Sequence, residues 1–174
     1  MMEENKIMNY LRLKLSDKRY THSLGVADEA KKLAERYNAD VNKAYIAGLV
    51  HDVAKEVKPD EARELIQDKF GIYLDSVTYN VPKLLHAHLG ACFAQTEFGI
   101  YDAEILDAIK YHTTAKADMS ILTKIIYIAD YIEPNRSFDG VDELRELAYK
   151  DIDAAILMGL DFTIEELLQE KKMF

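Results

Sequence analysis

The sequence predicts an all-α protein, and three observations carry that prediction. Helix breakers are scarce, with seven glycines and three prolines in 174 residues, while the good helix formers Leu, Ala, Glu and Lys recur throughout. Apolar residues return at helical spacing along most of the chain. No long segment alternates with period two, so no sheet is expected. At this length, residues 1–174 read most economically as one domain, and 49% hydrophobic residues suffice for a real core.

The elements follow in order. Residues 3–15 place Ile7, Tyr10, Leu11 and Leu15 at helical spacing. Ser16 and Asp17 are N-cap candidates for a helix over 17–37, with Leu24, Ala27, Ala30, Leu33, Ala34 and Tyr37 as its core stripe. After a short "NAD" turn, a helix over 41–55 turns Tyr45, Ile46, Leu49, Val50 and Val53 inward. "KPDEARELIQDKFG" opens with Pro59 near the first helical position and stops at Gly71. Residues 71–82 are irregular and end at Pro82. Helices are then expected over 83–98, 102–112 and 118–133, the last closed by Pro134, and over 141–150 and 151–171 after the loop "PNRSFDG".

Charge and composition narrow the function. The net charge is −9 with no basic run, which argues against nucleic acid as a bulk ligand. An acidic protein can still handle an anionic substrate if bound cations supply the positive field locally. The single cysteine, Cys92, excludes an intrachain disulfide and suits a reducing compartment. No stretch approaches the roughly 20 apolar residues of a membrane span, and "MMEENKIMNYLRLKL" lacks the apolar block of a signal peptide. A cytoplasmic protein with no membrane partner is expected.

The chemistry lies in five histidines and two aspartates. His112 follows Ile105 and Ile109 on an apolar face, and His86 precedes Leu89 and Phe93 at the same spacing. His22 shares a face with Val26 and Leu33, and His51 follows the small residues Ala44, Ala47 and Gly48. Asp130, in "ILTKIIYIADYIEP", falls on the buried stripe of Leu122 and Ile126. A buried carboxylate needs a partner, and Lys124 or Arg136 would serve if the role were structural. The count of inward polar groups points elsewhere. Five helices each direct His or Asp inward: His22, the His51–Asp52 pair, His86, His112 and Asp130. Imidazole and carboxylate together suit zinc, manganese or iron, and no cysteine cluster suggests a structural zinc site. Adjacent helical residues diverge by about 100°, so His51 and Asp52 flank a point. A carboxylate can bridge two metals, and six ligands exceed what one compact site needs.

The order H…HD…H…H…D, embedded as "RYTHSLGVA", "AGLVHDVAKE", "LLHAHLGA", "IKYHTTA" and "KIIYIADYIEPNR", resembles the HD-domain metal-dependent phosphohydrolases. Together these motifs are similar to the YqeK family of bacterial HD proteins, symmetrical bis(5′-nucleosyl)-tetraphosphatases that cut diadenosine tetraphosphate into two ADP. The resemblance runs from about Arg19 to Arg136 and implies a single-domain HD helical bundle with its motif core at 19–136. It implies His22, His51, Asp52 and Asp130 as ligands of one iron-type metal, with Asp52 bridging to a second held by His86 and His112. Manganese or another transition metal is the alternative to iron. Two positions depart from the pattern: Ala115 follows "HTT" where the family carries glycine, and His88 lies outside the ligand set as a surface or outer residue.

Two cations roughly 3.5–4 Å apart suit phosphoanhydride hydrolysis, with a hydroxide between them as the expected nucleophile. Lys55, four residues after His51 and three after Asp52, is placed to act with Asp52 and to meet a substrate phosphate. Arg136 is a candidate bidentate phosphate contact, joined by Arg19, Thr113 and Thr114, while Glu133 would orient Arg136 or a ligand. The expected partners are a dinucleoside polyphosphate and its nucleoside diphosphate product. The apolar residues scattered over 71–101 permit a homodimer. Alternatives are an HD phosphohydrolase acting on a nucleoside monophosphate, a guanosine alarmone or a cyclic dinucleotide, a di-iron oxygenase on the same ligands, and a sensor without turnover.

Overall fold

The structure, a computed structural model, describes residues 2–169, and no strand occurs among them. The helices are α1 (Met2–Lys14), α2 (Asp17–Arg36), α3 (Val41–Val50), α4 (Pro59–Glu64), α5 (Ser76–Asn80), α6 (Pro82–Phe98), α7 (Ala103–Tyr111), α8 (Ile121–Ile132), α9 (Val141–Lys150) and α10 (Ile152–Gln169). Residues 170 and 171 of the last expected helix lie outside the described residues.

Local capping accounts for most boundaries. Ser16 Oγ accepts from Arg19 N, and the carboxylates of Asp40, Asp75 and Asp102 each accept from two backbone N–H groups at the start of α3, α5 and α7. Ser120 caps α8, so that helix begins three residues later than the expected 118, where Asp118 has a left-handed φ of 53°. Pro59 and Pro82 stand at the first turns of α4 and α6. The sequence reading missed α5, which has only five residues between irregular stretches. Following α4, Leu65–Lys69 widens into a π-helical turn, closed by Phe70 N donating to Leu65 O at 3.0 Å. Gly71 ends it with φ +65°, as expected.

The expected helix over 41–55 is corrected. Regular helix stops at Val50, and residues 51–57 continue as tight turns with Val53 N donating to Val50 O, Lys55 N to Asp52 O and Val57 N to Ala54 O. The apolar run Leu49–Ala54 buries the segment on both flanks, so packing, and not helical continuity, sets its path.

Helices α2, α3, α7 and α8 form the centre, with α6 on α7 and the α9–α10 pair on α8. Helix α8 is apolar nearly all round, burying Leu122, Ile125, Ile126, Tyr127, Ile128, Ala129 and Ile132. A smaller cluster of Ala54, Ala62, Ile66, Leu85, Leu89 and Cys92 joins α4 to α6. The most extensive helix–helix contact among the described residues is that of α2 with α3. A Cβ built on Gly48 would lie 2.7 Å from Ala27 Cα and 3.0 Å from Ala27 N, so the two backbones touch there. Helix α3 therefore buries its Ala44–Ala47–Gly48 face completely, while Tyr45 and Ile46 are only partly buried.

Ala115 has a φ of +55° and donates its N–H to Tyr111 O at 3.0 Å, closing the turn after α7. The left-handed conformation costs a residue with a Cβ about 1 kcal/mol. Ala115→Gly should therefore raise stability by up to about 1 kcal/mol, read as a higher urea midpoint at unchanged slope. A lower midpoint would contradict the strain assigned to this turn.

Candidate metal centre

Four imidazoles and two carboxylates converge from α2, the end of α3, α6, the end of α7 and α8. His22, His51, Asp52, His86 and His112 are all buried, and the Asp130 side chain is 15% exposed toward a cavity. The rings of His22 and His51, of His51 and His112, and of His112 and His86 form an unbroken edge-to-face series with centroids 5.0–5.3 Å apart.

Helix ends orient two of these rings. His51 and His112 are the C-cap residues of α3 and α7, where the last carbonyls lack intrahelical donors. Each ring turns its Nδ1–H onto the carbonyl three residues earlier, Gly48 O at 2.6 Å and Ile109 O at 2.7 Å. A carbonyl can only accept, so Nδ1 carries the proton and the Nε2 lone pair faces the cluster. His22 is oriented the same way by a side chain: its Nδ1–H donates to Glu133 Oε1 at 3.0 Å.

Asp52 lies between the imidazoles. Its Oδ1 is 3.0 Å from His86 Nε2 and 3.5 Å from His112 Nε2, and its Oδ2 is 3.6 Å from His51 Nε2 and 3.8 Å from His22 Nε2. Asp130 Oδ1 lies 3.0 Å from His22 Nε2. Burial alone would raise the Asp52 carboxyl, but His51, His112 and His86 outweigh it and hold the group well below the usual carboxylate range. Asp130 is likewise lowered, burial being overcome by His22, His51 and Arg136. Burial pushes His86 down to about 4 against the pull of Asp52, leaving a neutral ring at neutral pH.

The donor set fits a cation. His22 Nε2, His51 Nε2 and Asp52 Oδ1 are buried atoms that make no well-angled hydrogen bond with protein, and such orphans are costly unless something binds them. His22, His51 and Asp130 place one ligand atom each within 4.8 Å of one another, as do His51, Asp52 and His112. Neutral imidazoles and ionised carboxylates are the forms that bind divalent metals.

The surrounding predicted residues are distributed unevenly. Arg136 pairs with Asp130 through a short contact to Oδ1 and a 2.7 Å bond from Nε to the Asp130 carbonyl, with its head 40% exposed. Lys124, the other candidate partner of Asp130, instead pairs with Asp153 at 2.6 Å. Arg19 Nη1 donates to Asp52 Oδ2 at 2.6 Å. Lys55 reaches farther in than its sequence position suggests, with Nζ 3.0 Å from His86 Nε2 and 3.5 Å from Asp52 Oδ1. Thr113 lines a cavity beside His112, whereas Thr114 faces a separate pocket with His88, Lys110 and Tyr111. His88 is half-buried on that far side of α6, outside the cluster. Glu133 faces His22 through Oε1. Its Oε2 accepts from Asn135 N and Nδ2 at 2.8 and 2.9 Å, and Gly25 leaves room for it, since a Cβ there would come within 2.5 Å. Sequence reasoning missed Tyr131, Phe138 and Phe162, which gather beside Asp130. An exposed Phe in "PNRSFDG" was the available signal.

The fold and the cluster define the class first: an all-helical protein with an internal His/Asp site able to hold divalent metals. The HD-domain family model matches residues 19–135. A symmetrical bis(5′-nucleosyl)-tetraphosphatase of Bacillus subtilis is 41% identical over 172 residues, covering 98% of this chain and 91% of that protein. One of Staphylococcus aureus is 38% identical over 173 residues, covering 99% and 85%. A crystal structure of a Clostridium acetobutylicum protein, described as a predicted HD superfamily hydrolase involved in NAD metabolism, superposes with a TM-score of 0.95 at 46% identity over 98% of this chain and 90% of that one. The chain belongs to the HD-domain family and, within it, to the YqeK family. Among the described residues no helix is long and apolar enough to cross a membrane.

Proposed function

We propose that this chain, acting as a single HD-type domain with its motif core at 19–136, hydrolyses diadenosine tetraphosphate symmetrically to two ADP in the cytoplasm. The observation that carries the reading is the division of Asp52 between two imidazole pairs, Oδ1 toward His86 and His112, Oδ2 toward His51 and His22. That is the disposition of a carboxylate shared by two cations. His22, His51, Asp52 and Asp130 would hold one ion, and Asp52, His86 and His112 the other. Iron is the expected metal, with manganese or another transition metal as the alternative, because imidazole with carboxylate suits all of these. When bound, the pair would supply an activated water and neutralise charge on the phosphoryl oxygens.

The chain's own cations surround that position. Arg136, half-exposed and steadied by Asp130, presents a planar donor fork to a phosphate. Arg19 and Lys55 approach Asp52 from its two oxygens, where each can donate to a polyphosphate laid across the cluster. Thr113 lines the cavity wall, with its hydroxyl oxygen buried behind it.

The test is incubation of metal-loaded and metal-stripped protein with a nucleotide panel, alongside elemental analysis. ADP as the sole nucleotide product of diadenosine tetraphosphate, lost on stripping and restored by metal, supports the reading. ATP plus AMP would refute symmetrical cleavage.

Glu133 provides a second check on the ligand assignment. Glu133→Gln keeps the shape but sets an amide N–H₂ either against His22 Nδ1–H or against the two Asn135 donors. Loss of the partner that holds a ligating histidine should weaken metal binding by about 10–100-fold, measured by competition with a chelator, with helicity unchanged. Unaltered metal affinity would remove Glu133 from that role.

A further inference from the structure

Two cavities border the cluster and share Arg136 and Phe138. One, of about 520 Å³, opens at the His112–Asp130 end. The other, of about 680 Å³, opens at the His22 end. Both volumes suit a small ligand, but their walls differ in chemistry.

The first is aromatic. Tyr131 and Phe138 stand edge-to-face at 6.4 Å, as do Phe138 and Phe162 at 5.6 Å. The Tyr131 hydroxyl is tied to Thr163, and Phe162 seats against Gly140, where a Cβ would come within 2.9 Å of the ring. The platform is therefore held in place by its surroundings. The carboxylates of Asp139, Glu165 and Glu166 lie on its lining, as acceptors for an exocyclic amino group. The second cavity carries three cations to two carboxylates, Lys18 and Arg19 from the first turn of α2 and Arg136 beside Asp17 and Glu133. Glu133 is already engaged by His22 and Asn135. Apart from the His22 imidazole, Phe138 is the one aromatic side chain in its lining.

Symmetrical hydrolysis adds water across the central P–O–P bridge. The bridging oxygen leaves on one ADP and the water oxygen stays on the other, so the bridge must lie over the cluster with one nucleoside diphosphate in each direction. Resting on the tetraphosphatase reading above, we propose that the two identical halves of the substrate occupy unlike subsites. The Tyr131–Phe138–Phe162 cavity selects a nucleobase, and the Lys18–Arg19–Arg136 cavity holds the other half by its phosphates with little regard for its base. Stacking on an aromatic face is insensitive to salt, whereas exposed cations on phosphate are screened by it. One adenine therefore suffices, and adenosine 5′-tetraphosphate is split into ADP and pyrophosphate.

The test is calorimetric titration of metal-loaded protein with ADP at two salt concentrations. Two ADP per chain are expected, only one of them strongly salt-dependent. Phe162→Ala should weaken the salt-insensitive site by about tenfold or more and leave the other unchanged, while Phe162→Tyr restores it and so separates a lost platform from a damaged fold. Lys18→Ala should weaken the salt-dependent site by a few-fold and flatten its salt dependence. A single ADP per chain, or both variants acting on the same site, would overturn the proposal. Failure of the underlying reading has its own signature, no ADP from diadenosine tetraphosphate, and leaves the ADP titration readable.

Discussion

Asp52→Asn is expected to lower kcat by roughly a thousandfold or more and to reduce the metal content of the purified protein, with the helical spectrum unchanged. Asp52 is 1% exposed, and its two oxygens face different imidazole pairs while Oδ2 also accepts from Arg19. Asparagine offers one acceptor. Its amide nitrogen must then point either at Arg19 and His51 or at His86 and Lys55, where it can accept nothing. The substitution removes one negative charge from a buried group of cations and ligands, so it disturbs both halves of the centre together. Steady-state kinetics and elemental analysis of the same preparation decide the matter. Hydrolysis that survives with full metal content would show that Asp52 does not bridge.

Gly48→Val should cost at least about 3 kcal/mol of stability, near the upper end for overpacking, and should abolish metal binding in whatever protein still folds. The reason is contact between backbones. A single Cβ at Gly48 would lie 2.7 Å from Ala27 Cα, and no rotamer of either residue can relieve that clash. Only separation of α2 from α3 can, and those helices carry His22 and His51, whose rings lie 5.3 Å apart. Gly48→Ala should act in the same direction more weakly, by about 1–3 kcal/mol. Urea denaturation measures both effects. A Gly48→Ala protein within about 0.5 kcal/mol of the parent would mean that the helices do not meet there.

The two predictions concern different kinds of residue, and they were not equally legible. Asp52 announces itself as a carboxylate in the apolar run Leu49–Ala54, and the other clustered His and Asp residues do so by falling on helical apolar faces. The helix starts were also readable, because Ser16 and Pro59 act locally through a cap bond or a fixed φ. Where α3 ends was not, since a C-cap imidazole folding back on Gly48 O leaves no mark in hydrophobic periodicity. The partner of Asp130 was open between Lys124 and Arg136 for a related reason. Both are in reach along the chain, and only the position of Asp153 on α10, which takes Lys124, distinguishes them.

An all-helical protein with six inward His and Asp side chains, and the family motifs around them, is legible along the chain, because periodicity and capping are local properties. Tertiary structure alone decided how these groups meet. It set α2 against α3 at Gly48, chose Glu133 as the partner of His22, drew Lys55 in beside His86, turned Thr114 away, and gathered Tyr131, Phe138 and Phe162 next to Asp130. Those outcomes depend on distances between residues far apart in the chain, which are fixed by side-chain volume and close packing and carry no signal at any single position.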